Sequence, residues 1–385
     1  MEQKNDLVKI KVIGVGGGGN NTIHSMVREG IQGVEFIVAN TDEQVLNQSI
    51  ADTILPLGNN AVGLGAGANP EEGCKAALES EDKIREVLKG SDMVIISAGM
   101  GGGTGTGAAP VIARIAKETG ALTVAVVTTP FSFEGTQRSK NAEKGLKEIK
   151  QEVDALIVIS NDKLLKQFGG IELKDSFMYA DKTLKQTVRT ITDLVAIPAL
   201  INLDFADVST VMKNRGDALI GIGKARGEDR AIKAATHAIS SPILEASITG
   251  ATDAIINIAG GNITLDEANI AVETIKQATG SDLHIIFGVS IVESLKDDMQ
   301  VSVIATGIDK KKESITEEEL RKEVASAVET MEIPFENENT RTLLISNPLP
   351  EEEKLSIDDE VQLQNSPYVL EDEDDDDSVP AFLKD

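Results

Sequence analysis

The chain has 385 residues, and its 63 acidic and 37 basic side chains give a formal net charge of −26. So acidic a protein is not expected to bind nucleic acid non-specifically, and an anionic membrane surface would repel it unless an adaptor protein intervened. The single cysteine excludes an intrachain disulfide, three scattered histidines give no zinc-ligand spacing, and no apolar run reaches transmembrane length, so we expect a cytoplasmic protein.

The first half of the chain alternates apolar segments, which are typical of buried strands, with segments of helical composition. Strands are predicted at 8–15, 34–40, 93–98, 122–128 and 155–160, and helices at 70–89, 107–119 and 136–152. Alternation at this spacing builds a parallel sheet with helices on both faces. We therefore predict a doubly wound, mostly parallel α/β domain over residues 1–173.

A glycine-rich turn follows the first predicted strand and leads into a predicted helix. The turn consists of Gly16, Gly17, Gly18, Gly19, Asn20 and Asn21. Together with Gly14, its glycines have the spacing of the dinucleotide-binding fingerprint, which favours an NAD-dependent Rossmann enzyme. Such an enzyme needs an acidic side chain at the end of the second strand, whereas this strand ends at Asn40 and the nearest acid is Asp42. NAD binding is thereby weakened but stays open as an alternative.

Two further segments of small residues precede predicted helices. One contains Ala66 and Gly67 and ends at Pro70, and the other follows the strand at 93–98. This second segment comprises Gly101, Gly102, Gly103, Thr104, Gly105, Thr106 and Gly107, with helix predicted from Ala108. Backbone N–H groups in such turns bind anions at the positive end of a helix dipole. A P-loop is excluded because no Gly-Lys-Ser/Thr closes the run, and a flexible linker is disfavoured by the close flanking elements. The three turns predict a polyphosphate held by several helix N-termini.

The middle of the chain carries two pairs of charged residues and a long helix. Glu134 and Arg138 share a helix face at i and i+4, as a surface ion pair or as part of a site. A connecting helix is predicted over 174–198, ended by Pro198. The loop after it contains Asn202, Asp204 and Asp207, and spacing alone favours N-capping of a helix by one of the aspartates.

The second half has a different pattern. Strands are predicted at 217–224, 254–259, 284–291 and 300–306, and helices at 228–240 and 265–278. This pattern predicts a smaller α+β domain over 199–309 with a mixed or antiparallel sheet. Residues 310–378 are predicted to be an acidic, mostly disordered linker in which 317–331 has helical spacing. The apolar hexamer Val379 to Lys384 is either a terminus without function or, as we expect of residues 379–385, a partner-binding peptide.

Four motifs in this order resemble those of the tubulin/FtsZ family of GTPases. They lie at 16–21, 101–107, 131–135 and 202–207. The resemblance implies a GTPase that polymerises head-to-tail into dynamic filaments, which form the cytokinetic ring at the bacterial division site. It implies bound GTP or GDP with Mg²⁺ carried by the nucleotide and no dedicated protein metal site. The implied partners are other copies of the chain and, through the C-terminal peptide, division adaptor proteins that connect it to the membrane.

The resemblance also implies roles for individual residues. Glu134 would bind the ribose, Arg138 would lie near the phosphates, and Asn161 and Asp181 would contact guanine. With these, the predicted nucleotide-binding residues are Gly16, Gly17, Gly18, Gly19, Asn20, Asn21, Asn40, Ala66, Gly67, Gly101, Gly102, Gly103, Thr104, Gly105, Thr106 and Gly107.

The remaining motif implies a catalytic loop that acts on a neighbouring subunit. Asp204 and Asp207 would polarise the attacking water in the nucleotide site of the next subunit, and Asn202 would help to place it. A filament-forming relative that positions plasmids is a second possibility, although the apolar hexamer after an acidic linker favours cell division. An NAD-dependent enzyme would leave the motifs at 101–107 and 202–207 unexplained. A homologue that binds without hydrolysing is disfavoured because Asn202, Asp204 and Asp207 occur together.

Overall fold

The computed structural model describes residues 8–59, 63, 65–168, 173–196, 200–201, 203–241, 248–279 and 283–308. Asn202, Pro198 and everything predicted beyond 308, including the helical spacing at 317–331, the acidic linker and the C-terminal hexamer, lie outside these described residues. The division of the chain after residues 173, 198 and 309 stays a prediction. Within the described part of the chain, no helix is long and apolar enough to cross a membrane.

The described strands form one ten-stranded sheet, and their order differs from their order in the chain. They are β1 (Ile10–Val15), β2 (Val34–Asn40), β3 (Thr53–Pro56), β4 (Met93–Gly99), β5 (Leu122–Thr129), β6 (Ala155–Ser160), β7 (Gly216–Arg226), β8 (Asp253–Gly260), β9 (His284–Ile291) and β10 (Asp298–Thr306). Across the sheet the order is β3-β2-β1-β4-β5-β6-β7-β10-β8-β9. Every strand predicted from the sequence is present with ends within two residues of the prediction, and β3 was missed.

The sheet has a parallel half and a mixed half, which confirms the predicted fold class. Strands β1 to β6 pair only in parallel, whereas β10 pairs antiparallel with both β7 and β8, and β8 pairs in parallel with β9. The halves join where residues 155–157 of β6 pair with residues 216–218 of β7. At this junction the Asp154 carbonyl accepts hydrogen bonds from the backbone N–H groups of Arg215 and Gly216. The continuity of the two halves was not predicted.

Eleven helices are described. They are α1 (Gly16–Arg28), α2 (Glu43–Leu46), α3 (Pro70–Glu79), α4 (Glu81–Leu88), α5 (Thr104–Glu118), α6 (Thr136–Glu152), α7 (Asn161–Phe168), α8 (Leu173–Ala196), α9 (Phe205–Met212), α10 (Arg230–Ile239) and α11 (Leu265–Thr279). The single helix predicted over 70–89 is wrong, because it breaks at Ser80, whose hydroxyl accepts a hydrogen bond from Gly58 N–H at 2.8 Å. The short helices α2, α7 and α9 were missed.

Helices cover both faces of the sheet. We call the side packed by α1, α8 and α9 face one and the opposite side face two. On face two, α3 to α6 cover the parallel half and α10 and α11 cover the mixed half. The core on face one runs continuously from Ile23 of α1 through Leu184 and Ile191 of α8 to Ile304 of β10. The long helix α8 is therefore buried against both halves of the sheet.

Candidate nucleotide-binding site

The predicted binding segments meet at one edge of the sheet. Because β1, β2, β4, β5 and β6 are parallel, the residues that follow them lie at their shared carboxyl edge. Gly16 follows β1, Asn40 ends β2, the long glycine run follows β4, and Asn161 follows β6. The strand order places β1 and β4 side by side in the middle of this edge. The two glycine runs are thus neighbours in space although about 85 residues separate them in the chain.

The two glycine runs pack so closely that side chains would not fit between them. Gly16 has a positive φ of 71°, and a Cβ atom added to it would lie 2.8 Å from the backbone nitrogen of Gly105. A Cβ on Gly105 would lie 2.5 Å from the carbonyl oxygen of Gly99. This close approach brings the backbones of α1 and α5 together at their first turns.

The glycines themselves begin the helices, which corrects the sequence prediction. Helix α1 begins at Gly16 and α5 begins at Thr104, although helix was predicted only after Asn21 and from Ala108. The tight packing outweighs the low helix propensity of glycine. Neither Val15 nor Gly103, the N-cap residues, supplies a side-chain hydrogen bond to the first turn. The N–H groups of these first turns therefore remain available to an anion.

The predicted segment that contains Ala66 and Gly67 contributes differently from the two glycine runs. Gly103 packs against it, because an added Cβ would lie 2.8 Å from the Ala66 Cβ and 2.9 Å from the Asn69 nitrogen. Helix α3, however, is capped by Asn69, whose Oδ1 accepts from Glu71 N–H at 3.0 Å. A capped N-terminus that is also followed by two glutamates is unfavourable for an anion. The phosphate contact predicted for this helix N-terminus stays a prediction. The segment with Ala66 and Gly67 borders the space between the first turns of α1 and α5, which we call the cradle.

Two asparagines, Asn20 and Asn40, connect the ends of β1 and β2 beside the cradle. With its amide oriented to satisfy both ends, Asn20 donates to the carbonyls of Gly14 and Gly16 at 2.8 and 2.9 Å and accepts from Asn40 Nδ2 at 3.2 Å. Asn40 in turn accepts from the N–H of Thr41 at 2.9 Å. Both side chains are buried. They therefore fix the glycine run after β1 relative to the end of β2.

Thr41 was missed by the sequence analysis. Its hydroxyl lies 2.7 Å from the hydroxyl of Thr104, the first residue of α5. This contact connects the loop after β2 to the glycine run after β4. The neighbouring Asp42 caps α2 by accepting from the N–H groups of Gln44 and Val45 at 2.9 and 3.3 Å. Oδ1 of Asp42 thus has a structural role at the start of α2.

Asn40 and Ala66 also line a cavity of 310 Å³ beside the cradle. Its charged lining residues are Glu43, Glu72, Glu79 and Lys75. Three carboxylates against one ammonium group disfavour a polyphosphate there. The phosphate position is therefore better matched by the uncapped helix starts than by this cavity.

A second group of predicted residues lies beyond β5 and β6. Glu134 accepts from the Phe131 N–H at 3.0 Å and forms an ion pair with Arg138, so the i, i+4 pair does form. Asn161 is 7% exposed, and its Oδ1 has no hydrogen-bond partner among the described residues. Asp181 lies in the third turn of α8 rather than at its start. Burial raises the pKa of the Asp181 carboxyl to about 6, because desolvation disfavours its charged form.

An aromatic group missed by the sequence analysis stands beside these residues. The rings of Phe131 and Phe133 stack with centroids 4.9 Å apart, and Phe177 meets both edge-on. Phe133 and Phe177 remain about half exposed. Phe177 is one turn before Asp181 on α8, so both project from the same face of that helix. The i, i+4 spacing was the signal that could have identified Phe177.

The predicted catalytic loop is separate from these segments. Asp204 is the N-cap of α9, and its Oδ1 accepts from the N–H groups of Ala206 and Asp207 at 2.8 and 3.1 Å. Capping, the structural alternative from the sequence, is therefore present. Asp204 is exposed and Asp207 is half-buried, and no hydrogen bond or ion pair joins either to the glycine runs in the part of the chain that is described. Asn202 lies outside that part.

A protein-built metal site was not predicted. Among the described residues, no three His, Cys, Asp or Glu side chains are grouped in a way that could hold a metal ion.

Residues 9–169 match the family model of the Tubulin/FtsZ GTPase domain, and residues 216–309 match that of the FtsZ C-terminal domain. The cell division protein FtsZ of Mycoplasmopsis pulmonis is 57% identical over 376 residues, which cover 97% of this chain and 96% of the relative. The structure of an empty FtsZ dimer from M. jannaschii has a TM-score of 0.75 and 43% identity, covering 82% of this chain and 95% of that one. GDP-bound CetZ1 from Haloferax volcanii, at 21% identity and a TM-score of 0.69, covers 84% of this chain and 99% of that one and shares the fold.

Proposed function

The chain belongs to the FtsZ family of tubulin-like GTPases, and from this membership we propose that it hydrolyses GTP at a site shared by two adjacent subunits of a head-to-tail filament. The nucleotide would lie at the carboxyl edge of the parallel half of the sheet. The catalytic aspartates would come from the next subunit. The filaments would form the cytokinetic ring in the cytoplasm at mid-cell.

The phosphates would occupy the cradle between the two glycine runs. The first turns of α1 and α5 offer N–H groups without side-chain caps, and both helix dipoles direct positive potential to this place. Thr104 and Thr106 add hydroxyl groups at the start of α5. Thr106 Oγ1 already accepts from Gly101 N–H at 2.9 Å, so it holds the turn while its own proton can be donated. Mg²⁺, bound to the phosphate oxygens, would neutralise part of their charge.

The observation that carries the proposed recognition of guanine is a pair of buried acceptor groups, on Asn161 and Asp181. The buried Asn161 Oδ1 lacks a partner, and the Asp181 carboxylate is held in a desolvated position with a raised pKa. Both groups are acceptors, and each would gain from meeting a donor. Guanine presents N1–H and N2–H donors side by side, whereas adenine has no such donor pair. The Asp181 carboxylate would accept from both, and Asn161 would hold the base beside it.

The exposed rings beside Asp181 would complete the base site. Phe177 shares a helix face with Asp181 and is supported edge-on by Phe131 at a centroid distance of 5.1 Å. A ring fixed in this way can stack on a purine without a large loss of conformational entropy. Glu134 would bind the ribose, and Arg138, which forms an ion pair with it, would lie near the phosphates.

The proposed catalytic loop would act on a different subunit, and its distance from the cradle supports this. It follows the far end of α8, about 22 Å along the helix from Asp181 at 1.5 Å per residue. Helix α9 then leads into β7, which joins β6 at its amino end, away from the carboxyl edge. In a head-to-tail filament this end of one subunit would meet the nucleotide of the next.

The two aspartates would activate the water that attacks the γ-phosphorus. Capping of α9 uses only Oδ1 of Asp204, so the orientation of the carboxylate is fixed while Oδ2 accepts no hydrogen bond from any described residue. Asp207 lies in the first turn of the same helix. Together they would accept hydrogen bonds from the water, with Asn202 assisting, and the products would be GDP and phosphate. Loss of the γ-phosphate would weaken the contact between subunits, so the filament would turn over.

The cellular role extends the same reasoning to the tail. The curated relative is named for cell division, which favours a division ring over plasmid positioning. Because the chain carries a net charge of −26, attachment to an anionic membrane would require adaptors, and the apolar residues Val379 to Lys384 would bind them.

The experiment that tests the shared site measures GTP hydrolysis per molecule against protein concentration, with light scattering recorded in parallel. We expect almost no activity in dilute protein and a rise that coincides with scattering. Asp207→Ala should retain GTP binding and lose turnover, whereas Asp82→Ala, an exposed first-turn aspartate of α4, should behave like the unchanged protein. Activity per molecule that does not depend on concentration would show that one chain contains the whole site.

A further inference from the structure

Seven buried side-chain atoms in the described part of the chain have no hydrogen-bond partner, and three of them belong to one helix. These are the hydroxyl oxygens of Thr183, Thr187 and Thr190 in α8. All three residues are at most 4% exposed. Burying a hydroxyl without a partner is unfavourable, because the hydrogen bonds that it loses to water are not replaced. Three such groups on one helix require a physical explanation.

The three hydroxyls share one side of the helix. Their spacing of four and then three residues places them in a row beside the apolar stripe of Leu184, Val188 and Ile191. The Cβ atoms of neighbours in such a row are about 5–6 Å apart, and no direct hydrogen bond joins the three hydroxyls. One water molecule between two of them would make a bond of ordinary length to each.

These threonines also differ from several other helical threonines of the same chain. In those, the hydroxyl donates to a carbonyl four residues earlier, which satisfies it locally. This occurs at Thr22, Thr210, Thr274 and Thr279, with oxygen–oxygen distances of 2.7 to 3.2 Å. Even within α8, Thr192 donates to the carbonyl of Arg189 at 2.8 Å. The hydroxyls of Thr183, Thr187 and Thr190 make no such bond to their own helix.

Two more unpartnered hydroxyls lie on face one. Ser97 follows Met93 and Ile95 in the alternation of β4, and Ser302 precedes Ile304 in that of β10, so both face the side of the sheet on which α8 packs. One lies in the parallel half of the sheet and the other in the mixed half. Five of the seven unpartnered atoms therefore lie on face one, in the core that joins the two halves.

We propose that Thr183, Thr187 and Thr190 bind a row of ordered water molecules between α8 and the core of face one. Each water would bridge two hydroxyls and take further bonds from groups such as Ser302 or a helix carbonyl, giving the two to four partners that a buried water needs. The long helix would then be joined to the sheet through a hydrated strip as well as through its apolar stripe. This water site is distinct from the proposed nucleotide and aspartate sites.

The direct test is a crystal structure of the unmodified full-length protein, in which water density is sought at the three hydroxyls. A second measurement compares thermal unfolding of Thr187→Val, Thr187→Ser and the triple valine variant of Thr183, Thr187 and Thr190. Valine keeps the shape of threonine and removes the hydroxyl. If the hydroxyls bind water, each valine lowers Tm, because the bridging waters lose partners, and Thr187→Ser is less harmful to the water density.

A matched control separates the loss of a water-bound hydroxyl from the loss of a satisfied one. Thr274→Val in α11 removes a buried hydroxyl that bonds its own helix. Density at the hydroxyls of α8, together with a larger Tm loss for Thr187→Val than for Thr274→Val, supports the proposal. Absence of density at all three hydroxyls overturns it. So does a rise in Tm of the triple variant, because valine stabilises a dry core by removing unpaired polar groups.

Discussion

In the proposed base site, the buried Asp181 carboxyl would help to select the base. Its pKa of about 6 arises from desolvation. The ionised form that would accept hydrogen bonds from guanine is thus the form that burial disfavours. A base with two donors would relieve this penalty, whereas a base without them would not. Asp181 would therefore contribute to specificity because a buried carboxylate without a hydrogen-bond donor is unfavourable.

Nucleotide affinity should depend on pH through Asp181. Protonated Asp181 cannot accept from N1–H and N2–H, so GDP affinity should be full above pH 6 and fall toward tenfold per pH unit below it. Asp181→Asn should lower the affinity by about 10- to 100-fold and remove this component of the pH dependence. Titration of fluorescent GDP from pH 5 to 8 on both proteins measures the difference. An unchanged pH profile in Asp181→Asn would show that phosphate ionisation alone governs binding.

Arg230 is a buried cation whose donors are all used. Its Nε and Nη2 donate to the two oxygens of Glu267 at 2.6 and 3.0 Å, and Nη1 donates to Asn262 Oδ1 and the Asp297 carbonyl at 2.9 and 2.7 Å. Nη2 also donates to the carbonyl of Asn262. These bonds raise the pKa of Arg230 and lower that of Glu267. The guanidinium group of Arg230 thus connects α10, the start of α11 and the turn before β10.

Replacing this arginine should destabilise the mixed half of the sheet. We expect Arg230→Met to lower the free energy of unfolding in urea by about 3 kcal/mol, because Glu267 is left without its buried partner. Arg230→Lys should recover only part of the loss, since one ammonium group cannot make the forked contacts. Arg226→Lys, at a side chain that is 71% exposed, should change stability by less than about 0.5 kcal/mol. Equal effects at the two positions would contradict the role given to Arg230.

At the scale of elements, the glycines at the carboxyl edge fall into two classes. Some are required by packing, as at Gly107, where an added Cβ would lie 1.9 Å from the Pro70 carbonyl oxygen and 2.6 Å from the Cys74 nitrogen. Others face open space, as at Gly102 and Gly17, where no atom of the described chain lies within 4 Å of an added Cβ. Packing explains the first class, and a bound phosphate would explain the second.

Alanine at one member of each class should separate folding from binding. Gly107→Ala should force α3 away from α5 and destabilise the protein by about 1–3 kcal/mol, or more if the helices cannot separate. Gly102→Ala should leave the Tm of the nucleotide-free protein nearly unchanged and weaken GDP binding, because its methyl group enters the proposed phosphate cradle. Calorimetry gives both quantities for each variant. Full GDP affinity in Gly102→Ala would place the phosphates elsewhere.

Much of the order of strands and helices was predictable from the sequence, because burial of a segment leaves a local pattern of apolar residues. Buried parallel strands appear as continuous apolar runs, and β2 and β6 have the predicted bounds. Strand β3 was missed because its four residues lie at the sheet edge with Ile54 and Pro56 exposed, so it lacks a buried run. The break between α3 and α4 lies at Ser80, whose hydroxyl accepts a hydrogen bond from Gly58 N–H. The hydrophobic periodicity of the sequence does not reveal such a contact.

The site was predictable where a backbone motif creates it and not where distant side chains meet. The glycine runs identified both uncapped helix starts, although glycine propensity concealed the first helical turns. The capping of α3 by Asn69, which is unfavourable for phosphate at this helix start, was overlooked. The contact between Thr41 and Thr104 joins residues far apart in sequence, so only the folded chain reveals it.

At the scale of the whole molecule, the sheet keeps the two proposed functional regions apart and in a fixed relation. The cradle lies at the carboxyl edge, and the aspartates follow the far end of α8, which is buried on both halves of the sheet. Glu29 at the end of α1 forms ion pairs with Lys185 and Arg189, so the first nucleotide-binding helix is also tied to α8. In the proposed filament, a subunit built in this way would carry an incomplete site at each end. Its activity should therefore belong to the contact between subunits.

Mixing two inactive variants should restore hydrolysis if the contact contains the site. Asp207→Ala keeps its own nucleotide cradle, and Asp181→Ala keeps its aspartate loop but binds nucleotide poorly. In an equal mixture, random head-to-tail contacts should join an intact cradle to an intact loop in about one quarter of cases. We expect GTP hydrolysis of that order when assembly is driven by high protein concentration, and almost none from either variant alone. Asp207→Ala mixed with Asp204→Ala is the matched control, because neither partner supplies a complete loop. If the first mixture is as inactive as the control, each chain must complete its own site, and the aspartates do not act across the subunit boundary.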